Sequence, residues 1–202
     1  MKKAHFCTSD EDYLTEVSLL IKNLLVAVGE DPTREGLQET PLRVAKMYRE
    51  VLGGYCRQSE PKITVFENKE GYDEMIIDEG YFYSLCEHHM VPFFGKAFIA
   101  YIPQKKIIGI SKLARVLDFY ATRLQVQERL TQQVAAFLMK VLAPRGVAVV
   151  LSARHLCREM RGVKKFGALM TTSELLGQFR DNAQTRQEFM TLIQTKLKQG
   201  MV

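Results

Sequence analysis

The sequence is short of the residues that build stapled, fibrous or unfolded chains. Cysteine occurs four times in 202 residues, too few for a disulfide scaffold. Proline (6) and glycine (13) are sparse, which excludes collagen-like and low-complexity sequence. With 47% hydrophobic and 25% charged residues the composition is not that of a disordered chain either. No apolar run approaches the ~18 residues of a membrane span, so no membrane partner is expected. The segment MKKAHFCTSDEDYL has a basic tip but lacks the apolar stretch of a secretory signal. A reducing, cytoplasmic setting is expected. There is no internal repeat and no linker. Histidine is scarce too, at four residues, yet His88, His89 and His155 each lie within three residues of a cysteine.

The charge is unevenly spread. Residues 1–80 hold 10 Lys+Arg and 16 Asp+Glu, whereas residues 81–202 hold 18 and 7. The C-terminal portion therefore carries a net +11 inside a chain of +5. Such a segment suits an anionic partner: a nucleic acid, a phosphorylated small molecule or an acidic surface on another subunit. Solvated helix faces are the plainer alternative for any single lysine.

Residues 10–28 read as an amphipathic helix, with Leu14, Val17, Leu20, Ile21, Leu24, Leu25 and Val28 at three- and four-residue steps. Ser9 or Asp10 can cap it, and Gly29 sits where a terminating glycine belongs. Thr40-Pro41 reads as the N-cap and first position of a second helix that ends before Gly53-Gly54. After Pro61 the pattern changes to strands: 63–66, 75–77, 81–83 and, most regular, 96–102. Residues 111–142 are helical in pattern, with a break near 123–126. GVAVVLS (146–152) is a β-branched strand leading to His155 and Cys157, and a last helix spans about 185–197. This order predicts an α+β fold: an antiparallel sheet with helices on one face, behind a helical N-terminal extension. The expected division is 1–60 for the extension and 61–202 for the catalytic domain.

Cys86-Glu87-His88-His89 carries a Cys-x2-His pair, a spacing that lets a thiolate and an imidazole reach one Zn²⁺ from a tight turn. Alone it is a weak signal. His155-Leu156-Cys157 strengthens it, because in an extended segment residues two apart face the same way. Cys86, His89 and Cys157 then form a Cys2His set with His88 and His155 beside it. Three protein ligands leave a fourth position for water, the mark of a catalytic zinc. Bound water of that kind has a pKa of roughly 7, and the spare histidines titrate in the range useful for proton transfer. The alternative is a closed structural site with Cys56 or Cys7 as fourth ligand; packed or surface thiols are the simpler reading of those two.

Ser111-Lys112 opens a helix, and a helix N-terminus with a hydroxyl and a lysine is a ready phosphate site. Arg115 lies one turn on. Arg161, Lys164 and Lys165 follow Cys157 closely, which predicts an anion site next to the metal. Glu128 is either an exposed helix charge or, in a pocket, an acceptor for two parallel N–H groups of a guanine edge. Nucleic-acid binding fits less well: there is no second finger-type Cys/His pair and no aromatic RNA-binding stripe. The His-x-Glu…Pro-Cys-x-x-Cys signature of zinc nucleobase deaminases is also absent.

SLCEHHMVPFFGKAFIAYIP, GISKLAR, LQVQERLTQQ, HLC followed by RGV, and MTTSELLG closely resemble the zinc-dependent GTP cyclohydrolase I family. GEDPTREGLQETPLRVAKMY resembles that family's N-terminal helical motif, and the likeness runs in order from about Leu14 to Ile193. The resemblance implies the tunnelling fold, in which an antiparallel sheet carries two helices on one face and the sheets of several subunits join into a barrel. It implies a homodecamer of two pentamers with active sites between subunits, and one Zn²⁺ per subunit. It implies a hydrolase acting on a cyclic amidine: GTP and water become 7,8-dihydroneopterin triphosphate and formate, the first step of tetrahydrofolate biosynthesis.

Position by position, the resemblance makes Cys86, His89 and Cys157 the metal ligands. It makes His155 the acid/base at the purine imidazole and His88 an assistant in ring opening. Ser111, Lys112, Arg115 and Arg161 correspond to triphosphate contacts, and Gln127 and Glu128 to the guanine end. Arg43 and Lys46 correspond to contacts lent by a neighbouring subunit. Several fixed cations suit the roughly four negative charges of GTP, and a buried carboxylate would reject adenine. Two places depart from the family pattern: Arg154 precedes His155 where an uncharged residue is expected, and Arg158-Glu159 follow Cys157. The long N-terminal extension of some animal members is missing, so regulation by a partner protein is not expected. A zinc-stabilised nucleic-acid module and a sibling pterin or purine enzyme are the rival readings.

Overall fold

The structure is a computed structural model that describes Cys7 and residues 9–56 and 60–198. His5 lies outside the described residues. The chain divides into two compact units, 1–58 and 59–202.

In the first unit, α1 (Asp10–Ala27) and α2 (Thr40–Val51) pack against each other. Ser9 caps α1 by accepting from Asp12 N at 3.2 Å, and Gly29 follows in the left-handed region at φ +88°. Thr40 is the first helical residue of α2 rather than its cap: Glu39 takes the N-cap position and makes no side-chain capping bond. Buried Tyr13 joins the helices by donating to Ala45 O (3.3 Å), and Arg49 stands over its ring while pairing with Asp10. The predicted apolar row of α1 is largely uncovered, with Leu20, Leu24 and Val28 all exposed.

The second unit runs β1 (Val65–Glu67), β2 (Ile76–Cys86), β3 (Pro92–Ile102), β4 (Lys106–Ile108), α3 (Ser111–Ala121), β5 (Leu124–Gln125), α4 (Gln127–Leu142), β6 (Gly146–His155), α5 (Leu156–Glu159), β7 (Leu169–Gly177), α6 (Gln178–Asp181) and α7 (Ala183–Lys198). Five strands form one sheet in the order β5-β2-β3-β6-β7, antiparallel except for the short parallel pair β2–β5. β1 and β4 pair separately. The two strand pieces expected at 75–77 and 81–83 are one strand. Polar Asp78-Glu79-Gly80 reads as a break, but Gly80 pairs with Ala97 and the ladder continues through it.

β6 is the central reason for the fold. Residues 147–151 are all buried, so the strand is covered on both faces and reads as an unbroken apolar run. On one face Val147, Val149, Leu151 and Ala153 join Phe82, Phe93, Ile99 and Tyr101 against Leu113, Val116 and Leu117 of α3 and Leu130, Val134 and Leu138 of α4. On the other, Ala148, Val150, Phe98 and Ala100 meet Phe179 of α6 and Phe189 and Ile193 of α7. Two helices on one face are as expected; the C-terminal helix covers the reverse face, which the sequence pattern did not place. Gly95 is required where β3 meets β6, since a Cβ there would come within 1.9 Å of Ser152 O. Its strand neighbour two residues away is Phe93, whose register partner is His155.

Candidate metal centre

Cys86 is the last residue of β2. The chain turns back at once: Met90 N donates to Cys86 O (2.8 Å) and Cys86 N to Val91 O (3.0 Å), with Met90 in the left-handed region at φ 53°. This turn brings His89 beside Cys86. It is anchored from β5 and α4, because Glu87 N donates to Gln125 O (3.0 Å) and the Glu87 carboxylate pairs with Arg129. Arg129 Nε in turn donates to Gln125 Oε1 at 3.1 Å.

Cys157 arrives from the other side of the sheet's end. The expected extended segment 154–157 is not formed: β6 ends at His155 and α5 begins at Leu156, so Cys157 projects from a helical turn. One ligand atom each from Cys86, His89 and Cys157 lies within 4.8 Å of the others, and no further metal-capable group of this kind occurs among the described residues. Two soft thiolates and an imidazole are the donor set that Zn²⁺ selects. Burial pushes the Cys157 thiol up, and the neighbouring Cys86 sulfur pushes it further. A divalent cation between the sulfurs reverses that tendency by stabilising the thiolates. The residues therefore fit the metal. Cys56 instead neighbours Cys7 in the first unit; burial and that second thiol push it up to about 11.

His155 is held in the plane of the sheet's end. Its ring stacks flat on Phe93, with centroids 4.7 Å apart and an interplanar angle of 4°. Its Nε2 meets Gln127 Oε1 at 2.8 Å. The orientation of that amide is fixed, because Gln127 Nε2 faces three acceptors: Leu151 O and Met170 O at 3.0 Å and Thr172 Oγ1 at 3.1 Å. An amide oxygen only accepts, so His155 Nε2 carries the proton and Nδ1 is the nitrogen left for other work. Burial holds the imidazole below its usual range, opposed chiefly by the Glu128 carboxylate. Gln127, expected at the guanine end, is buried with its amide engaged inside the protein; Glu128 beside it is exposed. That engagement was invisible in the sequence, since the partners Leu151, Met170 and Thr172 are 24 to 45 positions away.

His88 is exposed, with Nδ1 3.8 Å from the Cys86 sulfur. Arg161 reaches the cluster directly: NH1 lies 2.8 Å from His89 Nε2. Ser111, Lys112 and Arg115 do not reach it. α3 lies along β2 with its C-terminal end toward the Cys86 end of the strand, where Ser84 Oγ donates to Ala121 O (2.7 Å). Its N-terminal end meets the far end of β2, where Ile110 and Leu113 line a cavity with Ile76 and Asp78. Ten residues of helix separate the two, about 15 Å. Arg43 and Lys46 lie on α2 of the first unit.

An α+β sheet ends here in a Cys2His cluster able to hold a metal, with a held imidazole and a guanidinium at its rim, the make-up of an enzyme site. The sequence profile of the family GTP cyclohydrolase I matches residues 17–194. The GTP cyclohydrolase 1 proteins of Brucella canis and Brucella suis are each 47% identical to the chain over 182 residues, covering 89% of it and 85% of their own length. A crystal structure of the archaeosine synthase QueF-Like in its apo form superposes on 51% of the chain and 93% of its own, with TM-score 0.44 and 16% identity. The chain belongs to the GTP cyclohydrolase I family, and it is an enzyme of that kind. Among the described residues no helix is long and apolar enough to cross a membrane.

Proposed function

We propose that the protein opens the imidazole ring of GTP by hydrolysis and rearranges the product to 7,8-dihydroneopterin triphosphate, releasing formate. Cys86, His89 and Cys157 would hold Zn²⁺ (one per subunit). When bound, the ion supplies a Lewis acid that brings the pKa of water to roughly 7. The observation that carries the reading is the clustering of this donor set, whose Cys157 stands two residues from His155, with Nδ1 of that ring kept available by the Gln127 bond to Nε2. His155 in its cationic form donates Nδ1–H to N7 of the purine, which makes C8 electrophilic. In its neutral form it takes the proton back. Gln127 accepts from Nε2–H in both forms, so the ring stays in place. Gln127 thus acts on the substrate through His155, while Glu128 pairs with the guanine edge. His88, exposed at the rim, assists ring opening.

The triphosphate is bound by Arg161 of one chain together with Ser111, Lys112 and Arg115 of another. The ~15 Å between α3's first residue and the metal end supports this division. So do the long edge of β2 and the outer edge of β7, which lack strand partners among the described residues and suit joining of sheets between copies. A decamer of two pentamers closes those edges into a barrel, and Arg43 and Lys46 reach a neighbour's triphosphate. The product enters tetrahydrofolate synthesis in the cytoplasm. Zinc-quantified protein given GTP is expected to release one formate for each pterin formed. Metal-loaded protein that leaves GTP intact, or that accepts ATP equally, overturns the reading.

A further inference from the structure

The segment that presents both His155 and Cys157 is bracketed by an ion pair. Arg154 Nε donates to Glu159 Oε1 at 2.9 Å and its NH2 to Oε2 at 2.5 Å, a two-pronged contact between side chains only 18% and 4% exposed. The two residues that look out of place in the sequence are therefore one feature. The pair lies on the reverse of the sheet from His155, because successive strand residues face opposite ways. The Arg154 guanidinium stands between two rings: Phe94, its register partner on β3, at 6.0 Å, and Phe166 at 4.9 Å. The Arg154 guanidinium holds the Glu159 carboxyl below its ordinary range, helped by the nearby backbone of Gly167. Phe166 and Gly167 belong to the loop that follows α5 and returns to β7.

Beyond turns within itself, the loop is tied back by one backbone bond, from Lys165 N to Arg158 O (3.2 Å). Its residues 160–167 are all exposed, and it passes through the left-handed region at Gly162, Lys164 and Gly167, the second at φ 49° without the freedom of glycine. It also carries Arg161, whose guanidinium meets His89. We propose that Arg154 and Glu159 form a latch that, through Phe166 and Gly167, positions Arg161 for the triphosphate. Arg154, Glu159 and Phe166 are positioning residues; none of them reaches the metal cluster. A loop held in its binding conformation loses less freedom when ligand arrives, so the latch acts on substrate affinity more than on turnover. This rests on the assignment of Arg161 to the triphosphate.

The test uses the full-length, zinc-loaded enzyme with GTP and reads KM, kcat, zinc content and the rate of trypsin cleavage after Arg158, Arg161, Lys164 and Lys165. Arg154→Ala is expected to raise KM about tenfold with kcat changed less than threefold, unchanged zinc and faster cleavage. Phe166→Ala, at a site 85% exposed and so harmless to folding, is expected to raise KM about threefold, the worth of one exposed cation–π contact. Reversing the pair (Arg154→Glu with Glu159→Arg) is expected to bring KM and cleavage part of the way back. Unchanged KM and cleavage in folded, zinc-loaded Arg154→Ala overturn the latch. If that variant does not fold, the same result in Phe166→Ala overturns it. Arg161→Ala separates the two ideas: an unchanged KM there removes Arg161 from the triphosphate, and the cleavage rates still decide the latch.

Discussion

The two ends of β2 carry different chemistry. At Cys86 the strand runs into thiol, imidazole and guanidinium groups that converge from the 86–91 turn, β6, α5 and the following loop. At Ile76 the same strand borders a cavity of about 340 Å³ lined by Ile76, Tyr101, Ile108 and Leu113, with Asp78 as a half-buried carboxylate. The N-terminus of α3, bearing Ser111, Lys112 and Arg115, opens at this second end. One end gathers its three metal-capable groups within the chain. The other presents cations with no metal site of their own nearby. On the proposed function, the difference means that each chain carries two parts of a site that closure between copies would bring together.

The largest effect should come from the Cys86 end. Cys157→Ala removes one of the three proposed ligands, so bound zinc, measured by elemental analysis, and formate release should fall together to background. His155→Ala should keep its zinc and lose turnover by a factor of about 10² to 10⁴, the usual worth of a positioned acid/base. Retained turnover in that variant would remove His155 from its role. Gln127→Met should lower kcat about tenfold with zinc retained, because it frees His155 and leaves Leu151 O and Met170 O short of a donor. A kcat equal to wild type would show that the imidazole needs no such support.

These residues differ in how far the sequence revealed them. Cys86 and His89 are three positions apart in a tight turn, a local relation that spacing records well. α3 and α4 were legible from their helical period, and β6 from its unbroken apolar run. α5 was not, since four residues are too few to show a period, and the sequence pattern alone continues an extended strand to Cys157. The Arg154–Glu159 pair looked anomalous because its meaning lies in a strand-to-helix corner that no period describes. Nor could spacing say that Ser111 and Cys86 stand at opposite ends of one strand. That depends on the direction of α3 against the sheet, which buried packing at Leu113, Val116 and Leu117 decides.

A middle-sized effect bears on the second end. Lys112→Ala should retain zinc and raise the KM for GTP by about ten- to thirtyfold, as expected for the loss of one charge-assisted phosphate contact. Co-expressed with Cys157→Ala, it should regain activity. If each site draws its metal from one chain and its lysine from the next, random mixing leaves about a quarter of the sites with both halves intact. Activity no greater than the sum of the separate variants would mean that the ends of β2 do not meet across copies.

The smallest effect concerns Asp78 alone. Burial raises its pKa above the ordinary carboxylate value, only partly offset by a hydrogen bond from the Glu79 backbone, and no cation pairs with it among the described residues. A carboxyl with a raised folded pKa binds its proton more tightly in the native state than in the unfolded one. Stability therefore falls as pH rises from the unfolded pKa through the raised folded one, and the cost is fully present above the latter. Asp78→Asn keeps the shape and the hydrogen bond but removes the charge. It should raise Tm at pH 7 by about 2 °C, and the gain should vanish in acid once the wild-type carboxyl is protonated in both states. A lower Tm at pH 7 would instead mean that a cation from a second chain reaches Asp78, and the apolar end of β2 would then be part of an interface rather than an open rim.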